Sequence, residues 1–482
     1  MHAGRMDEHI PGLQVAIGLE GDVAWEGGFG FADLGSHQPM TADTINRSGS
    51  MGKVFTASAV MQLVDRGVVS LEDEVGTLVG FDVRNPLDGR AITLHHLLTH
   101  QSGLTRNGAG CTFADPLPLR EYVEKSFAEP TNDHYFGGLP KWSRPVEAAA
   151  EYSNTGMALL GLVVESANPS GATYRQWVEH EVCEPLGLHS TEYPEVQREP
   201  FVDADLWRRT STGYAGFGGI NVRTPPIHFA EYPAGNALTT AGDLCRLLLA
   251  HLRPDGDSSG WLSADAIRSM QSPRTSGRAH KGFDFGLMWM LHTPGNARFD
   301  RVFGPHPFLH HGGAHMYGWS GALFGFLDSG VAVVFMTNGW PLVEPDAGMP
   351  FPYSLPMLVD GLTVDPAKPD SGRGWAWKTS YLAGLLLAER TVGLMSVREA
   401  FDAEMVRYCI DGTHASAAFA DRWEPDGFRA GVAAIEAVGH THAALTDFMR
   451  SDGPALSRAE MDLAFAELGG TGRVQIPVSA DA

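Results

Sequence analysis

The stretch Ser50-Met-Gly-Lys-Val-Phe-Thr-Ala-Ser-Ala-Val-Met-Gln-Leu-Val-Asp65 is the most informative part of this sequence. Apolar residues recur in it at spacings of three and four, from Val54 to Val64, which predicts a helix. Ser50 and Lys53 stand three residues apart, so their side chains share one helix face and can meet. A Ser hydroxyl becomes a strong nucleophile when a neighbour takes its proton, and a Lys amine of lowered pKa can do so. The pair therefore indicates a nucleophile and its base, with a capping Ser beside a solvated Lys as the alternative.

Strand patterns stand at both ends of the first two-thirds of the chain. Residues 13–18 alternate in polarity and are rich in branched apolar side chains, and the turn signal Gly21-Asp22 follows them. Residues 320–326 and 330–337 have the pattern of a second strand pair. Helical patterns recur between these strands, around residues 93–100, 118–127, 155–167, 173–183 and 240–252. This order predicts an α/β fold: an antiparallel sheet whose terminal strands pair, flanked by helices, with a helical subdomain between them.

The composition changes beyond about residue 345. Residues 346–374 are rich in proline, which suits a linker that lies over the surface. Residues 375–482 hold Ala-rich segments of helical pattern, and Ser457-Arg-Ala-Glu460 matches a capping box. We therefore predict one domain over residues 1–345, a Pro-rich linker and an α-helical C-terminal extension. We expect the extension to pack on the body or on a second subunit as a homo-oligomer.

Charge and composition exclude several classes of function. The chain has 57 acidic and 35 basic residues, a formal charge of −22, and a surface this negative repels phosphate backbones. We therefore expect no nucleic-acid partner. No run of about 18 uncharged apolar residues occurs, and the first residues lack an apolar signal core, so we expect no membrane association and a cytoplasmic location. The four cysteines lie far apart and form no closely spaced pair, so we expect free thiols.

Two short motifs downstream of Ser50 carry groups that suit the same chemistry. In Tyr152-Ser-Asn154, a phenol beside a cationic Lys can act as a second base, and Asn154 offers a donor and an acceptor to a substrate amide or ester. In His311-Gly-Gly313, the glycines allow close approach of the backbone to a ligand, and the next amide, of Ala314, can face an oxyanion. Each motif alone also fits an ordinary helix start or a Gly-rich turn.

The order and spacing of Ser50-x-x-Lys53, Tyr152-x-Asn154 and His311-Gly-Gly313 resemble the serine β-lactamase and penicillin-binding-protein-like superfamily. The likeness is strongest to its class C β-lactamase and family VIII esterase branch. Further stretches extend it, among them Ile10-Pro-Gly12, Leu94-His-His-Leu-Leu-Thr-His-Gln-Ser-Gly-Leu104, Pro185-Leu-Gly-Leu188 and Pro233-Ala-Gly235. The resemblance covers about residues 10–340 and does not extend to residues 375–482.

The resemblance implies a β-lactamase/transpeptidase-like fold and a role for each motif residue. Ser50 would be the acylated nucleophile, Lys53 its proton partner, and Tyr152 a general base and acid. The substrate-binding groups would be Asn154, His311, Gly312 and Gly313. The backbone amides of Ser50 and Ala314 would form the oxyanion hole.

His311 stands where the lactamases have the Lys of a Lys-Thr-Gly strand motif, a replacement common in the esterase-like branch. Near neutral pH a His is mostly uncharged, so it would hold a substrate carboxylate less firmly than a Lys. This difference argues against strong recognition of a β-lactam or of a D-Ala-D-Ala peptide.

We therefore predict a carboxylesterase-like serine hydrolase that cleaves a small-molecule ester or amide through an acyl-Ser50 intermediate, without a cofactor. The alternative is an acyltransferase or peptide cyclase that passes the acyl group to an amine or alcohol in a biosynthetic pathway. A β-lactamase or D-amino peptidase is a third reading of the same motifs. A non-catalytic binding protein that keeps this fold as a scaffold is the alternative from a different class.

Histidine spacing suggests no metal centre in this sequence. His96 and His100 are one helical turn apart, but no Glu base or third ligand accompanies them. His310, His311 and His315 are also close in sequence, but the Gly-Gly between them fits a strand turn better. Aromatic-rich segments at 105–150 and 201–232 suit either the wall of a pocket for a bulky acyl group or the packing of the helical subdomain.

Overall fold

The structure is a computed structural model. It describes residues 11–19, 21–105, 111–112, 116–128, 131–132, 139–194, 202–217, 220–223, 228–253, 261–275, 284–293, 307–315, 318–341 and 470–474. The linker predicted at 346–374 and the helices predicted beyond 375 lie outside these residues, except for Gly470–Val474. That segment is a strand where the sequence predicted helix. Its two glycines and its β-branched Thr and Val disfavour a helix, and it gains backbone partners at a sheet edge.

Strands account for much of the described chain. They are β1 Gly12–Leu19, β2 Asp22–Asp33, β3 Gln38–Pro39, β4 Asn46–Arg47, β5 Cys111–Thr112, β6 Thr131–Asn132, β7 Leu139–Pro140, β8 Tyr214–Phe217, β9 Ile220–Arg223, β10 His228–Phe229, β11 Leu238–Thr239, β12 Asp284–Phe285, β13 Met290–His292, β14 Phe308–His315, β15 Trp319–Phe326, β16 Ala332–Thr337, β17 Gly339–Pro341 and β18 Gly470–Val474.

The helices fall mostly between the N-terminal and C-terminal strands. They are α1 Lys53–Asp65, α2 Val75–Val79, α3 Leu94–Leu98, α4 Leu119–Ala128, α5 Asn154–Ala167, α6 Tyr174–Trp177, α7 Ala204–Arg209, α8 Ala241–Leu252 and α9 Ala264–Gln271. Two 3-10 turns matter for the site: the Ser50 turn, Gly49–Gly52, and the Ala234 turn, Tyr232–Ala234. A π-helical turn, Val178–Cys183, continues α6, so the helix predicted at 173–183 is present in two parts.

One antiparallel sheet joins the two ends of the domain. Its strand order is β12-β13-β14-β15-β16-β1-β2-β18, with β3 paired to β2. In the register between β1 and β16, Val15 lies opposite Phe335 and Ile17 opposite Val333. The prediction that the terminal strands pair is therefore confirmed. This pairing brings β14, which carries His311, into the same sheet as the start of the chain.

Helix α1 lies at the centre of the helical layer. Its residues from Lys53 to Leu63 are all buried, so it has no solvent-facing side over that length. Small side chains such as Ala57 allow neighbouring helices to approach, and polar ones are satisfied internally: Ser58 Oγ donates to Val54 O at 2.8 Å. A helix enclosed in this way presents its first turn in a fixed position.

Aromatic side chains of the two predicted insertions pack the helical subdomain where the structure describes them. The ring of Phe127 lies 6.1 Å from that of Phe81 and 6.2 Å from that of Trp142. The ring of Tyr232 lies 5.5 Å from that of Tyr174. Phe113, Tyr135, Phe136 and Phe201 lie outside the described residues. In the part of the chain that is described, no helix has the length and apolar character needed to span a membrane.

Candidate active site

Backbone packing against β14 holds the Ser50 turn in place. Gly49 has a φ of 49°, and a Cβ there would lie 2.4 Å from the amide nitrogen of Ala314. A Cβ on Gly313 would lie 2.2 Å from Ser48 O. Glycine is therefore required at both positions, because any side chain would push the two segments apart. The result is that the Ala314 amide nitrogen lies beside the turn that carries Ser50.

Lys53 is fully buried in the first turn of α1. Its Nζ donates to Ser50 Oγ at 3.0 Å and makes a short hydrogen bond to Ala234 O. Nζ also lies 4.8 Å from the centre of the Tyr152 ring. The amine is thus held against the Ser50 hydroxyl by a carbonyl dipole on one side and an aromatic face on the other.

The Ala234 turn packs directly on the Ser50 turn. Thr56 Oγ1, one turn along α1 from Lys53, donates to Pro233 O at 2.6 Å. A Cβ on Gly235, whose φ is 147°, would lie 2.4 Å from Gly49 O and 2.9 Å from the amide nitrogen of Ser50. The Ala234 turn therefore positions the amine and the nucleophile together.

Tyr152 and Asn154 stand at the start of α5. Ser153 caps this helix, since its hydroxyl accepts from the amide of Gly156 at 3.2 Å. Tyr152 is buried, and its ring centre lies 6.1 Å from that of His311 and 4.5 Å from that of His100. The Asn154 Oδ1 atom is buried and accepts no hydrogen bond from the described residues. The capped start of α5 thus holds the Tyr152 ring against Lys53 Nζ.

His311 is buried on β14, and its ring is uncharged near neutral pH. Burial, together with the positive charge of Lys53, lowers its pKa to about 3. The Nδ1 atom lies 2.7 Å from Gly312 O, so Nδ1 carries the ring proton and donates it. Nε2 is then an acceptor, and it is buried with no hydrogen-bond partner among the described residues.

The structure brings the predicted residues of three remote segments to one place. Ser50 and Lys53 are hydrogen-bonded, and the ring of Tyr152 covers the amine. His311 lies next to Tyr152, and Gly313 and Ala314 pack against the Ser50 turn. A hydroxyl, an amine, a phenol and backbone amides arranged in this way are groups of the kind that carry out acyl transfer.

Sequence reasoning missed three contributors. His100 has a left-handed backbone conformation, with a φ of 55°. Its Nδ1 accepts from the amide of Ser153 at 3.3 Å, and its ring packs against that of Tyr152. The Ala234 carbonyl accepts from Lys53. Glu231 lies just before the Ala234 turn and is buried. His100 and Ala234 lie within stretches that carried the family resemblance, whereas no sequence pattern marked Glu231.

Comparison with known proteins shows the family of this chain. The β-lactamase family model matches residues 2–351. This chain belongs to the β-lactamase family. The family and the fold predicted from the three motifs are thereby confirmed, and the family is one of serine hydrolases.

Relatives within the β-lactamase family differ in activity. The chain is 28% identical over 349 residues to penicillin-binding protein 4 of Amycolatopsis lactamdurans, which covers 70% of this chain and 82% of that protein. It is 27% identical to esterase EstB of Burkholderia gladioli, covering 69% and 87%. The structure of EstCE1, described as a hydrolase with promiscuous acyltransferase activity, superposes with a TM-score of 0.57 at 20% identity, covering 69% of this chain and 90% of that one.

The His96 side chain forms part of a helix cap in this β-lactamase-family chain. His95, His96 and Glu147 place one ligand atom each within 4.8 Å of one another. The Nδ1 atom of His96 accepts from the amide of Thr93 at 3.1 Å, so its proton sits on Nε2, which faces Glu147. A metal on Nε2 would need the other tautomer and would break the cap of α3. Glu147 is already bonded to Arg90 at 2.9 Å, so these contacts favour a cap over a metal centre.

Because buried histidines stay neutral, we expect the free energy of unfolding to fall in acid. Burial lowers the pKa of His310 to about 3, whereas an unfolded His titrates near about 6.5. Between these two pKa values only the unfolded chain binds the proton. Each such His therefore lowers the free energy of unfolding by roughly 1.4 kcal/mol per pH unit as the pH falls below about 6.5. We expect His310→Asn, which retains a donor near Leu323 O, to reduce the pH dependence of the free energy of unfolding by about this amount.

The measurement is urea denaturation of both proteins at a series of pH values from about 6 to about 4.5. His180→Gln is the control, because His180 is exposed and Glu184 raises its pKa, so its loss changes the slope in the opposite sense. If the free energy of unfolding changes with pH equally in the wild type and in His310→Asn, His310 does not titrate as its burial requires.

Proposed function

We propose that this protein is a carboxylesterase-like serine hydrolase that cleaves an ester or amide through an acyl-Ser50 intermediate. The contact of Lys53 Nζ with Ser50 Oγ, at 3.0 Å, is the observation that carries the proposal. Because Nζ is held by Ala234 O and lies against the Tyr152 ring, the uncharged form of the amine can accept the Ser50 proton across the same contact, with the direction of the hydrogen bond reversed. The esterase relative supports an ester as substrate.

Acylation follows from these positions. Ser50 Oγ forms a bond to the carbonyl carbon of the substrate while its proton passes to Lys53 Nζ. The carbonyl π electrons move onto oxygen, and the amides of Ser50 and Ala314 stabilise the resulting oxyanion. When the intermediate collapses, the alcohol or amine leaves and receives a proton from the Lys53–Tyr152 pair, with Tyr152 as the acid. Water then attacks the acyl-Ser50 carbonyl by the reverse sequence and releases the acid.

His311 favours a substrate that lacks a carboxylate next to the scissile bond. The ring is neutral, its Nδ1–H is engaged by Gly312 O, and Nε2 offers only a lone pair. A lone pair repels a carboxylate oxygen and attracts an N–H or O–H group. We therefore propose a neutral ester or amide as the substrate in preference to a β-lactam or a peptide with a free carboxylate.

Acyl transfer to an amine or alcohol is the second candidate, and one feature of the site favours it. His311 Nε2 and Asn154 Oδ1 are buried acceptors that no described residue satisfies. An incoming amine or alcohol brings donors that can pair with such acceptors, and buried acceptors are costly when left unpaired. The acyltransferase activity named for EstCE1 supports this reading.

Replacement of Ser50 by alanine tests the hydrolase proposal. With p-nitrophenyl acetate, the wild type is expected to release nitrophenol and to gain an acetyl group on Ser50, detectable by mass spectrometry of the digested protein. We expect Ser50→Ala to lower kcat/KM by about a thousandfold or more, because no other oxygen occupies the attacking position. Ser58→Ala is the matched control: Ser58 is a buried serine of the same helix that bonds Val54 O and His251. Wild-type turnover by Ser50→Ala, with no adduct on the native protein, would refute the mechanism.

The charge at position 311 determines which acyl groups are accepted. We compare kcat/KM for p-nitrophenyl succinate, which has a free carboxylate, and p-nitrophenyl butyrate, which is neutral. In the wild type the neutral ester is expected to react faster. His311→Lys places a cation at this point, and we expect the succinate-to-butyrate ratio to rise by about tenfold. Because each protein is its own reference, a general loss of activity does not affect the ratio. An unchanged ratio would contradict a role for His311 in selecting the acyl group.

Partition of the acyl-enzyme distinguishes hydrolysis from transfer. At a fixed concentration of p-nitrophenyl acetate, we add increasing amounts of a primary amine and quantify acetate and N-acyl product by chromatography. If water is the natural acceptor, acetate is expected to remain the main product at millimolar amine. If acyl transfer is the function, the amide is expected to dominate at about millimolar amine, because a bound acceptor has a high effective concentration.

A further inference from the structure

Glu231 is a buried carboxyl that the proposed mechanism does not use. Its side chain is 4% exposed, and Tyr122 Oη of α4 donates to Glu231 Oε2 at 3.0 Å. Burial raises the pKa of this carboxyl to about 7, against the opposing effects of the Tyr122 hydrogen bond and of the positive charge of Lys53. Glu231 thus titrates in the range in which enzymes commonly work, and it interacts electrostatically with the amine of the site.

Other buried acids in the described chain have an arginine partner. Glu192 makes a short ion pair with Arg175, and Asp243 lies 3.2 Å from Arg246. Within the same described residues, Glu231 makes no ion pair, and the cation that acts on it is Lys53. Burying a carboxyl without an adjacent arginine costs folding free energy. A purely structural role therefore does not explain why Glu231 is buried here.

The Ala234 turn links Glu231 to Lys53 rigidly. The amide of Ala234 donates to Glu231 O at 2.8 Å, while its carbonyl accepts from Lys53 Nζ. Pro233, between them, packs on Gly161 of α5, where a Cβ would lie 2.4 Å from the proline ring. The residue that carries the carboxyl and the amine are therefore joined through one clamped turn.

Glu231 and Lys53 act on each other through their charges. The contacts of Lys53 with Ser50 Oγ, Ala234 O and the Tyr152 ring are with uncharged groups. His311, which faces it from β14, is neutral over the working range. Glu231 supplies a negative charge, and in a buried region such a charge acts over a longer distance than it does in water.

We propose that Glu231 is a positioning residue that sets the protonation state of Lys53, and that Tyr122 holds its carboxyl in place. The inference rests on the proposed function, in which Lys53 exchanges a proton with Ser50. Ionised Glu231 favours the ammonium form of Lys53, and protonated Glu231 leaves the amine uncharged. Among the residues that the structure describes, Tyr122 from α4, Tyr152 from the start of α5 and His311 from β14 are titratable groups that face this pair.

The pH dependence of kcat/KM tests the proposal. We measure hydrolysis of p-nitrophenyl acetate from about pH 5 to about pH 10 for the wild type, Glu231→Gln and Glu231→Asp. Loss of the negative charge in Glu231→Gln makes the ammonium form of Lys53 less favourable, so the inflection that Lys53 contributes is expected to move to lower pH by about one unit. Glu231→Asp keeps the charge and is expected to restore the wild-type inflection.

Tyr122→Phe provides a second variant that changes a single oxygen. Without the Tyr122 donor the protonated carboxyl is favoured, so the inflection is expected to shift in the same direction by a smaller amount. Tyr174→Phe is the matched control, because it also removes a buried tyrosine hydroxyl, one that bonds Thr56 at 2.6 Å and no carboxyl. This control is expected to leave the inflection in place. If Glu231→Gln does not fold, Tyr122→Phe decides the question.

Two kinds of failure are distinguishable. If the wild type forms the Ser50 adduct but Glu231→Gln and Tyr122→Phe lower kcat/KM equally at every pH, Glu231 is structural and the proposal is overturned. If the wild type forms no Ser50 adduct, the proposed function itself is wrong, and the role of Glu231 is lost with it. A shifted inflection in both variants, with the Tyr174→Phe profile unchanged, supports the proposal.

Discussion

The burial of one amine, that of Lys53, is the constraint on which the rest of the site depends. A primary amine removed from water needs partners, and here it has the Ser50 hydroxyl, the Ala234 carbonyl and the face of Tyr152. Each of these comes from a different segment. Satisfying the amine therefore aligns the Ser50 turn, the Ala234 turn and the start of α5, so the same contacts that stabilise the fold also assemble the site.

Close backbone contact makes this alignment possible. Gly49, Gly235 and Gly313 all lie where a Cβ would meet backbone atoms of a neighbouring segment at 2.4 Å or less. The pairing of β1 with β16 joins the start of the chain to strands more than three hundred residues later. It thereby places β14, which carries Gly313, in the same sheet as β1. A side chain at Gly49 or Gly313 would separate the Ser50 turn from the strand that carries the Ala314 amide, and one at Gly235 would separate it from the Ala234 turn.

Two buried titratable groups, His311 and Glu231, contribute to the electrostatics near Lys53. His311 is neutral near pH 7 and offers a lone pair at Nε2, while burial raises the pKa of Glu231 to about 7 against the effect of Lys53. In the mechanism we propose, such a site suits neutral acyl groups, and the charge of Lys53 depends on Glu231.

Local patterns in the sequence determined the helices α1, α3, α4, α5 and α8, the strands β1, β15 and β16, and the three motifs, because periodicity and spacing act over a few residues. The resemblance carried by those motifs predicted the family. Only the tertiary structure decided that His100 supports Tyr152, that the Ala234 carbonyl holds Lys53, and that Glu231 is buried near that amine. It also showed that Gly470–Val474 is an edge strand. These features depend on burial and on contacts between residues far apart in the chain, and no local pattern of residue types encodes either of them.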